Sequence, residues 1–217
     1  VKIEDQLIFL RRLLAEPVNP DDARWQPLEL LDALNEGRRW FAENSKSLQI
    51  TQSQTTNPGG VPTKFYSVQN EIGAFYTMEW DGIPLTPVHS RDWRNRIGIN
   101  EDLTGDPYVY KFFIRQIQLF FVPATQKTLF FEGWAYPIEL NGITGFDSEF
   151  TDQQARGGIY RAAWTLKDSD ERDSAKEERH AREITDQFFQ QYRPKGPRYV
   201  RSDQQINPVF GFLGLRG

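Results

Sequence analysis

The sequence predicts an α+β protein: helices from both ends of the chain form one bundle, a small antiparallel β domain is inserted between them, and an extended C-terminal tail follows. Three observations lead there. Apolar residues recur every three to four positions over residues 3–44 and again over 151–192. Between those segments the period falls to about two, punctuated by turn residues. From Arg193 onward no period survives. The expected units are therefore an N-terminal helical hairpin (1–44), a β-rich insertion (45–150), closing helices (151–192) and a C-terminal arm (193–217).

Residues 3–16 read as a first helix, with Ile3, Leu7, Leu10 and Leu14 on one face and Pro17 and Pro20 as its stop. NPDDAR is a turn into the segment Trp25–Asn44, which has the clearest helical period of the chain. There Leu31, Leu34, Arg38 and Phe41 form a stripe, and Pro27 suits a first helical turn. Gly37 costs about 1 kcal/mol against alanine in mid-helix, so it is expected to mark close packing against a neighbouring helix.

In the insertion, SLQITQSQ alternates as a half-exposed strand, TTNPGGVPT is a loop and FYSV a short strand. IGAFYTMEWDGIPLTPVH is a hairpin turning at Asp81-Gly82, whose second strand Pro84 and Pro87 confine to an edge or cut short. Ser90 opens a short helix, SRDWRNR, and LTGDP is a turn. YVYKFFIRQIQLFFVP is one long β-favouring run, followed by ATQK and the strand TLFFEGWAYP. In that strand Phe130 and Trp134 share one face, with Phe131, Gly133 and Ala135 on the other. Five to seven strands are expected in all.

Thr151 and Gln154 have capping-box spacing before a helix with Ile159, Ala163 and Leu166 inward, and Gly157 and Gly158 again suggest close backbone contact. The last helix spans about Asp170–Tyr192. Its first half, where Glu178 and Arg182 stand at i,i+4, is expected to be solvated or set against another chain. Its second half packs through Ala181, Ile184, Phe188 and Tyr192. The arm carries five basic residues against Asp203 alone, a net +4, which leaves −8 on the body. It ends in Val209, Phe210, Phe212, Leu213 and Leu215, an apolar terminus that calls for a pocket, on another chain more than on its own subunit.

Composition limits the chemistry. The 217 residues include no cysteine and only His89 and His180, which excludes disulfides and thiolates and nearly excludes a histidine-rich metal site. Hydrophobic residues are 38% of the chain but aromatics reach 14%, so the apolar content sits in large rings suited to cores and interfaces. No stretch approaches the ~20 apolar residues that span a bilayer, nor does the start resemble a secretory signal; the chain is expected to be soluble. Glu177-x-x-His180 has di-metal helix spacing but lacks the required second copy, so it reads as a charged helix face. No P-loop, G-x-S-x-G or G-x-G-x-x-G occurs. Acids at Glu79, Asp81, Glu101, Asp102 and Asp106 form no convincing glycosidase pair. The aromatic run Tyr108–Phe121 is too apolar to be a single-strand-binding groove. No enzyme and no cofactor is expected. A sugar-binding β module stacking ligands on Trp80, Trp93 or Trp134 is the alternative.

Several segments, in order, resemble the head-to-tail connector, or adaptor, proteins of tailed bacteriophages. They are RWQPLELLDALNEGRRWF at Arg24–Phe41, the hairpin Met78-Glu79-Trp80-Asp81-Gly82-Ile83-Pro84-Leu85, the short helix Arg91-Asp92-Trp93, the strand LFFEGWAYP and two closing helices. The resemblance spans about Ile3 to Tyr192. It implies a virion structural protein of the neck, assembled in the host cytoplasm, whose copies form a ring, usually of twelve. Such a ring sits beneath the portal protein, joins it to a tail or nozzle protein, and extends the channel through which double-stranded DNA passes without sequence-specific binding. The resemblance implies that the arm grips the portal ring, here through Arg198, Tyr199, Arg201, Val209, Phe210, Phe212, Leu213 and Leu215. Arg39 and Trp40, off the main helical stripe, together with Trp80 and Trp93, become candidates for contact with the next subunit or the tail.

Overall fold

Helix periodicity decides both ends of the chain. In a computed structural model that describes residues 1–17, 23–57, 60–68, 70–97, 102–113, 115–192 and 200–201, the first helices are α1 (Ile3–Leu13) and α2 (Pro27–Ser45). Ile3, Leu7, Leu10 and Leu14 are buried, as their spacing requires. Helix α2 begins with a capping box between Gln26 and Glu29 and with Pro27 in its first turn. It ends at Lys46, which takes a left-handed conformation.

The insertion holds β1 (Gln49–Thr55), β2 (Phe65–Ser67), β3 (Ile72–Trp80), β4 (Ile83–Pro84), β5 (Thr86–Pro87), α3 (Ser90–Ile97), β6 (Thr104–Gly105), β7 (Val109–Phe113), β8 (Gln116–Phe120), β9 (Val122–Pro123) and β10 (Thr128–Ala135). Helices α4 (Asp152–Ser169) and α5 (Ala175–Tyr192) close the bundle, and β11 (Val200–Arg201) follows. One sheet runs β1-β10-β3-β11, with β4 also on β3, and a second runs β2-β8-β7-β5. The two sheets share a core of Tyr66, Ile72, Phe75, Met78, Trp80, Tyr110, Ile117, Leu119, Leu129 and Phe131. Phe75 sits at its middle, edge-on to Tyr110, Phe112 and Phe131.

The expected Asp81-Gly82 turn is present, both residues having positive φ (53° and 77°), and the strand after it breaks within two residues at Pro84. Several expectations are corrected. Among the described residues the insertion holds ten strands, β1–β10, not five to seven, and within the β-favouring run at 108–123 the strands β7 and β8 pair antiparallel as a hairpin. The unit is not purely antiparallel, because β5 pairs parallel with β7 and β6 with β9. Strict alternation also fails in β10. Register shifts at Glu132/Gly133 and Trp134/Ala135 let Gly133, Trp134 and Ala135 all be buried. Helix α5 starts later than expected, at Ala175, since Asp170 caps α4 and Glu171 (φ 57°) turns the chain.

Helices α2 and α4 make the most extensive contact of the bundle, and α1 rests on α4 more than on α2. The glycines explain the closeness. A Cβ on Gly37 would lie 2.2 Å from the Gly158 carbonyl oxygen, and one on Gly157 would lie 2.4 Å from the Phe41 ring. Gly37→Ala should therefore destabilise the fold by roughly 1–3 kcal/mol despite alanine's better helix propensity. Urea denaturation measures this directly.

Candidate functional site

Helix α2 carries Arg38, Arg39 and Trp40 in sequence, and roughly 100° of rotation per residue sends them in different directions. Arg38 points inward. Its guanidinium donates from Nε and Nη2 to the two Asp147 carboxylate oxygens (2.9 and 3.0 Å), from Nη1 to the Ile138 carbonyl (2.7 Å), and from Nη2 to Glu149 (3.3 Å). The Arg38 and Asp147 side chains are 1% and 0% exposed. The Phe150 ring centroid lies 5.1 Å from the guanidinium carbon. One turn back, Asn35 both donates to the Leu140 carbonyl and accepts from its N–H. These bonds fix the rotation of α2, and with it the face turned to solvent.

Arg39 lies on that face. It forms a two-point pair with Glu71 (3.2 and 3.1 Å) and stacks over Tyr136 at 4.1 Å. Its pKa is raised, mainly by the Glu71 hydrogen bond and against the cost of burial. Trp40 is half-buried and meets Trp164 of α4 edge to face at 6.2 Å. The Arg161 guanidinium stands 4.0 Å from the Trp164 centroid and 5.2 Å from that of Trp40. Burial, then repulsion from Arg182, lowers the Arg161 pKa. Arg182 lies over the same Trp164 ring at 5.4 Å and is paired with Glu178 at 2.8 Å. A cleft of about 260 Å³ opens beside them, lined by Trp40, Asn44, Arg182, Thr185, Asp186 and Phe189. A second, of about 340 Å³, lies between α2 and the following chain, lined by Asp32, Asn35, Glu36, Arg38, Arg39, Pro137 and Glu139.

Partly open aromatic rings with guanidinium groups laid across them suit recognition of another protein surface. Along α2, Glu29, Asp32, Glu36 and Glu43 are exposed and form an acidic stripe beside this face. Among the described residues no group of three or more His, Asp or Glu side chains is placed to hold a metal ion. Glu177 is buried and paired with Lys167 at 2.9 Å, so the first half of α5 is not wholly solvated. His180 packs on Tyr160 and faces Glu183.

Arg39 and Trp40 thus reach the surface on different sides of α2, the first beside Tyr136 and the second beside Trp164, whereas Trp80 and Trp93 are not surface residues. Trp80 (0% exposed) fills the core between the sheets and donates from Nε1 to Thr56 Oγ1 at 3.4 Å. Trp93 (1% exposed) anchors α3 in a separate cluster with Val88, Ile97, Val109 and Phe120. Each is large and apolar, and burying its ring outweighs presenting it to solvent. Of the arm residues, Arg201 lies in β11, whose backbone pairs with Ala74 of β3. Arg198, Tyr199, Val209, Phe210, Phe212, Leu213 and Leu215 lie outside the described residues. Sequence reasoning missed Arg161, Trp164 and Arg182. The signal was present in α4, where Arg161 and Trp164, three apart, lie off the buried Ala155–Ala162–Ala163–Leu166 face.

Removing one partner of the buried pair, by Arg38→Ala or Asp147→Ala, should cost about 3–5 kcal/mol in denaturant unfolding. Glu71→Ala, which breaks the half-exposed pair with Arg39, should cost under about 1 kcal/mol. No protein-family model and no curated protein matches this chain.

Proposed function

We propose that the protein is a non-catalytic connector of a tailed-bacteriophage virion, one copy in a ring that joins the portal to the tail. The observation that carries this reading is the order of the connector-like motifs along the fold. RWQPLELLDALNEGRRWF leads into and forms most of α2, MEWDGIPL is the β3–β4 hairpin, RDW lies in α3, LFFEGWAYP begins in β10, and α4 and α5 close the bundle. Each motif falls on or against a discrete element, and the N- and C-terminal helices pack together, with the insertion between them in the sequence.

A ring needs a heterologous interface, in which different patches of neighbouring subunits meet. The Trp40–Arg161–Trp164–Arg182 face is the patch this chain offers. The acidic stripe Glu29, Asp32, Glu36 and Glu43 suits a channel wall, where it would repel phosphates and let DNA slide without binding. The arm, residues 193–217, is the portal-gripping element in this reading. The sugar-binding alternative is weakened, because Trp80, Trp93 and Trp134 are all buried and offer no stacking platform.

Two experiments test the proposal. Deleting residues 193–217 should abolish co-sedimentation with portal rings while leaving the circular dichroism spectrum of the bundle; undiminished binding would remove the docking role of the arm. Changing Glu29, Asp32, Glu36 and Glu43 together to lysine should slow DNA ejection from assembled particles. Normal packaging and ejection would show that this stripe does not line the channel.

A further inference from the structure

Strand β1 is an edge of the larger sheet: it pairs with β10 along its whole length and with no strand on its other side among the described residues. The ladder's two ends give its polarity. The Leu48 carbonyl accepts from Ala135 N–H (3.0 Å), and Thr56 N–H donates to the Lys127 carbonyl (2.8 Å). Even-numbered residues therefore turn their backbone groups toward β10, and Thr51, Ser53 and Thr55 turn theirs away. These outward N–H and C=O groups have no partner among the described residues.

Proteins usually blunt such an edge with lysine, proline, a bulge or a very short strand. Strand β1 uses none of these. It is seven residues long, QITQSQT, uncharged and without proline, and its register with β10 is unbroken. Gln54, on the inner face, donates to the Ser67 carbonyl at 2.7 Å and holds the strand against the second sheet. The opposite edge, β3, is covered in part by β4 at Glu79–Trp80 and by β11 at Ala74–Phe75.

The order of residues suggests the occupant. Thr51–Thr55 reads TQSQT, the same in both directions about Ser53. In an isologous antiparallel contact residue i faces residue j of the mate and j faces i, so this symmetry sets like side chains opposite one another, Thr opposite Thr among them, a favourable cross-strand pairing. We propose that β1 is a homodimerisation edge, on which two copies pair antiparallel about a two-fold axis through Ser53. Ser53 faces Ser53 of the second copy, Thr51 faces Thr55, and each of these outward-facing pairs exchanges two backbone hydrogen bonds. The two large sheets become one continuous sheet, with no like charges opposed at the junction. An isologous contact closes on two copies, so this dimer is separate from a ring interface and does not depend on the proposed function.

The added contact is small, so association should be concentration-dependent. Sedimentation velocity of the full chain over a micromolar-to-millimolar series should show a monomer–dimer equilibrium. Ser53→Lys and Ser53→Glu each set like charges against one another at the axis and should weaken dimerisation by at least about tenfold. Mixing the two variants should restore it. Ser53→Pro removes the donor at the axis without breaking a bond to β10, and it should be monomeric with a native circular dichroism spectrum. A wild-type protein that stays monomeric throughout, a dimer indifferent to all three substitutions, or a failure of the mixed variants to re-associate would overturn the two-fold pairing. In that event, binding of an extended peptide that is abolished by Ser53→Pro would assign the edge to a different protein.

Discussion

The Arg38–Asp147 pair binds together parts of the chain more than a hundred positions apart, at the junction of bundle and insertion. Withdrawing both charges from water costs several kcal/mol each, and attraction offsets that only where geometry is good and the remaining donors and acceptors are satisfied. Here the carboxylate is engaged at both oxygens, and a third guanidinium nitrogen donates to a carbonyl. Glu149 extends the network, accepting from Arg38, from Ile138 N–H and from the Asn70 side chain just before β3. A continuous set of polar contacts thus runs from the middle of α2 to the base of the larger sheet. It fixes how the insertion is joined to the bundle, a choice that apolar packing, being non-directional, leaves open.

The glycine contact constrains the same helix from its other side. Gly37 admits the Gly158 carbonyl, and the backbone of Arg38 in turn crowds the position where a Gly158 side chain would stand. Gly157 leaves room for Phe41, which then packs edge-on against Phe150 and Phe188. With α4 close on one side and residues 138–149 bonded on the other, α2 has one free stripe. The acidic residues and Trp40 occupy it. The character of the outer surface is therefore a consequence of what the inner surface demands.

This explains which features could be read in the sequence. Helical periods, the Thr151–Gln154 capping box, the Asp81-Gly82 turn and the packing glycines are local signals, and all of them hold in the structure. The sequence places Arg38 on the apolar stripe but does not show its partner, because Asp147 lies in an irregular segment without periodicity. The hairpin inside residues 108–123 was hidden because its turn at Arg115 carries no glycine, proline or asparagine beside it. Trp80 and Trp93 were misread for a related reason. Composition shows that large rings are abundant, but which of them are covered depends on sheet pairings far apart in sequence. Trp40 and Trp164 meet only because α2 and α4 approach closely at their glycines, a juxtaposition no single helix announces.

The open edge of β1 and the aromatic face of the bundle belong to different units of the fold, and they differ in what they can build. A self-complementary strand closes on two copies and is then exhausted. A face of unlike groups, with tryptophan and arginine on one side and whatever complements them on the other, can repeat around a ring. The two associations also differ in physical character. Strand pairing is made of backbone hydrogen bonds, each worth only about 0.5–1.5 kcal/mol net of competing water. Desolvation of the Trp40 and Trp164 rings would contribute in proportion to the area buried. Were ring contacts to require the β units to separate, the hydrogen bonds of the strand pair would have to be offset by the apolar area buried in the ring contact.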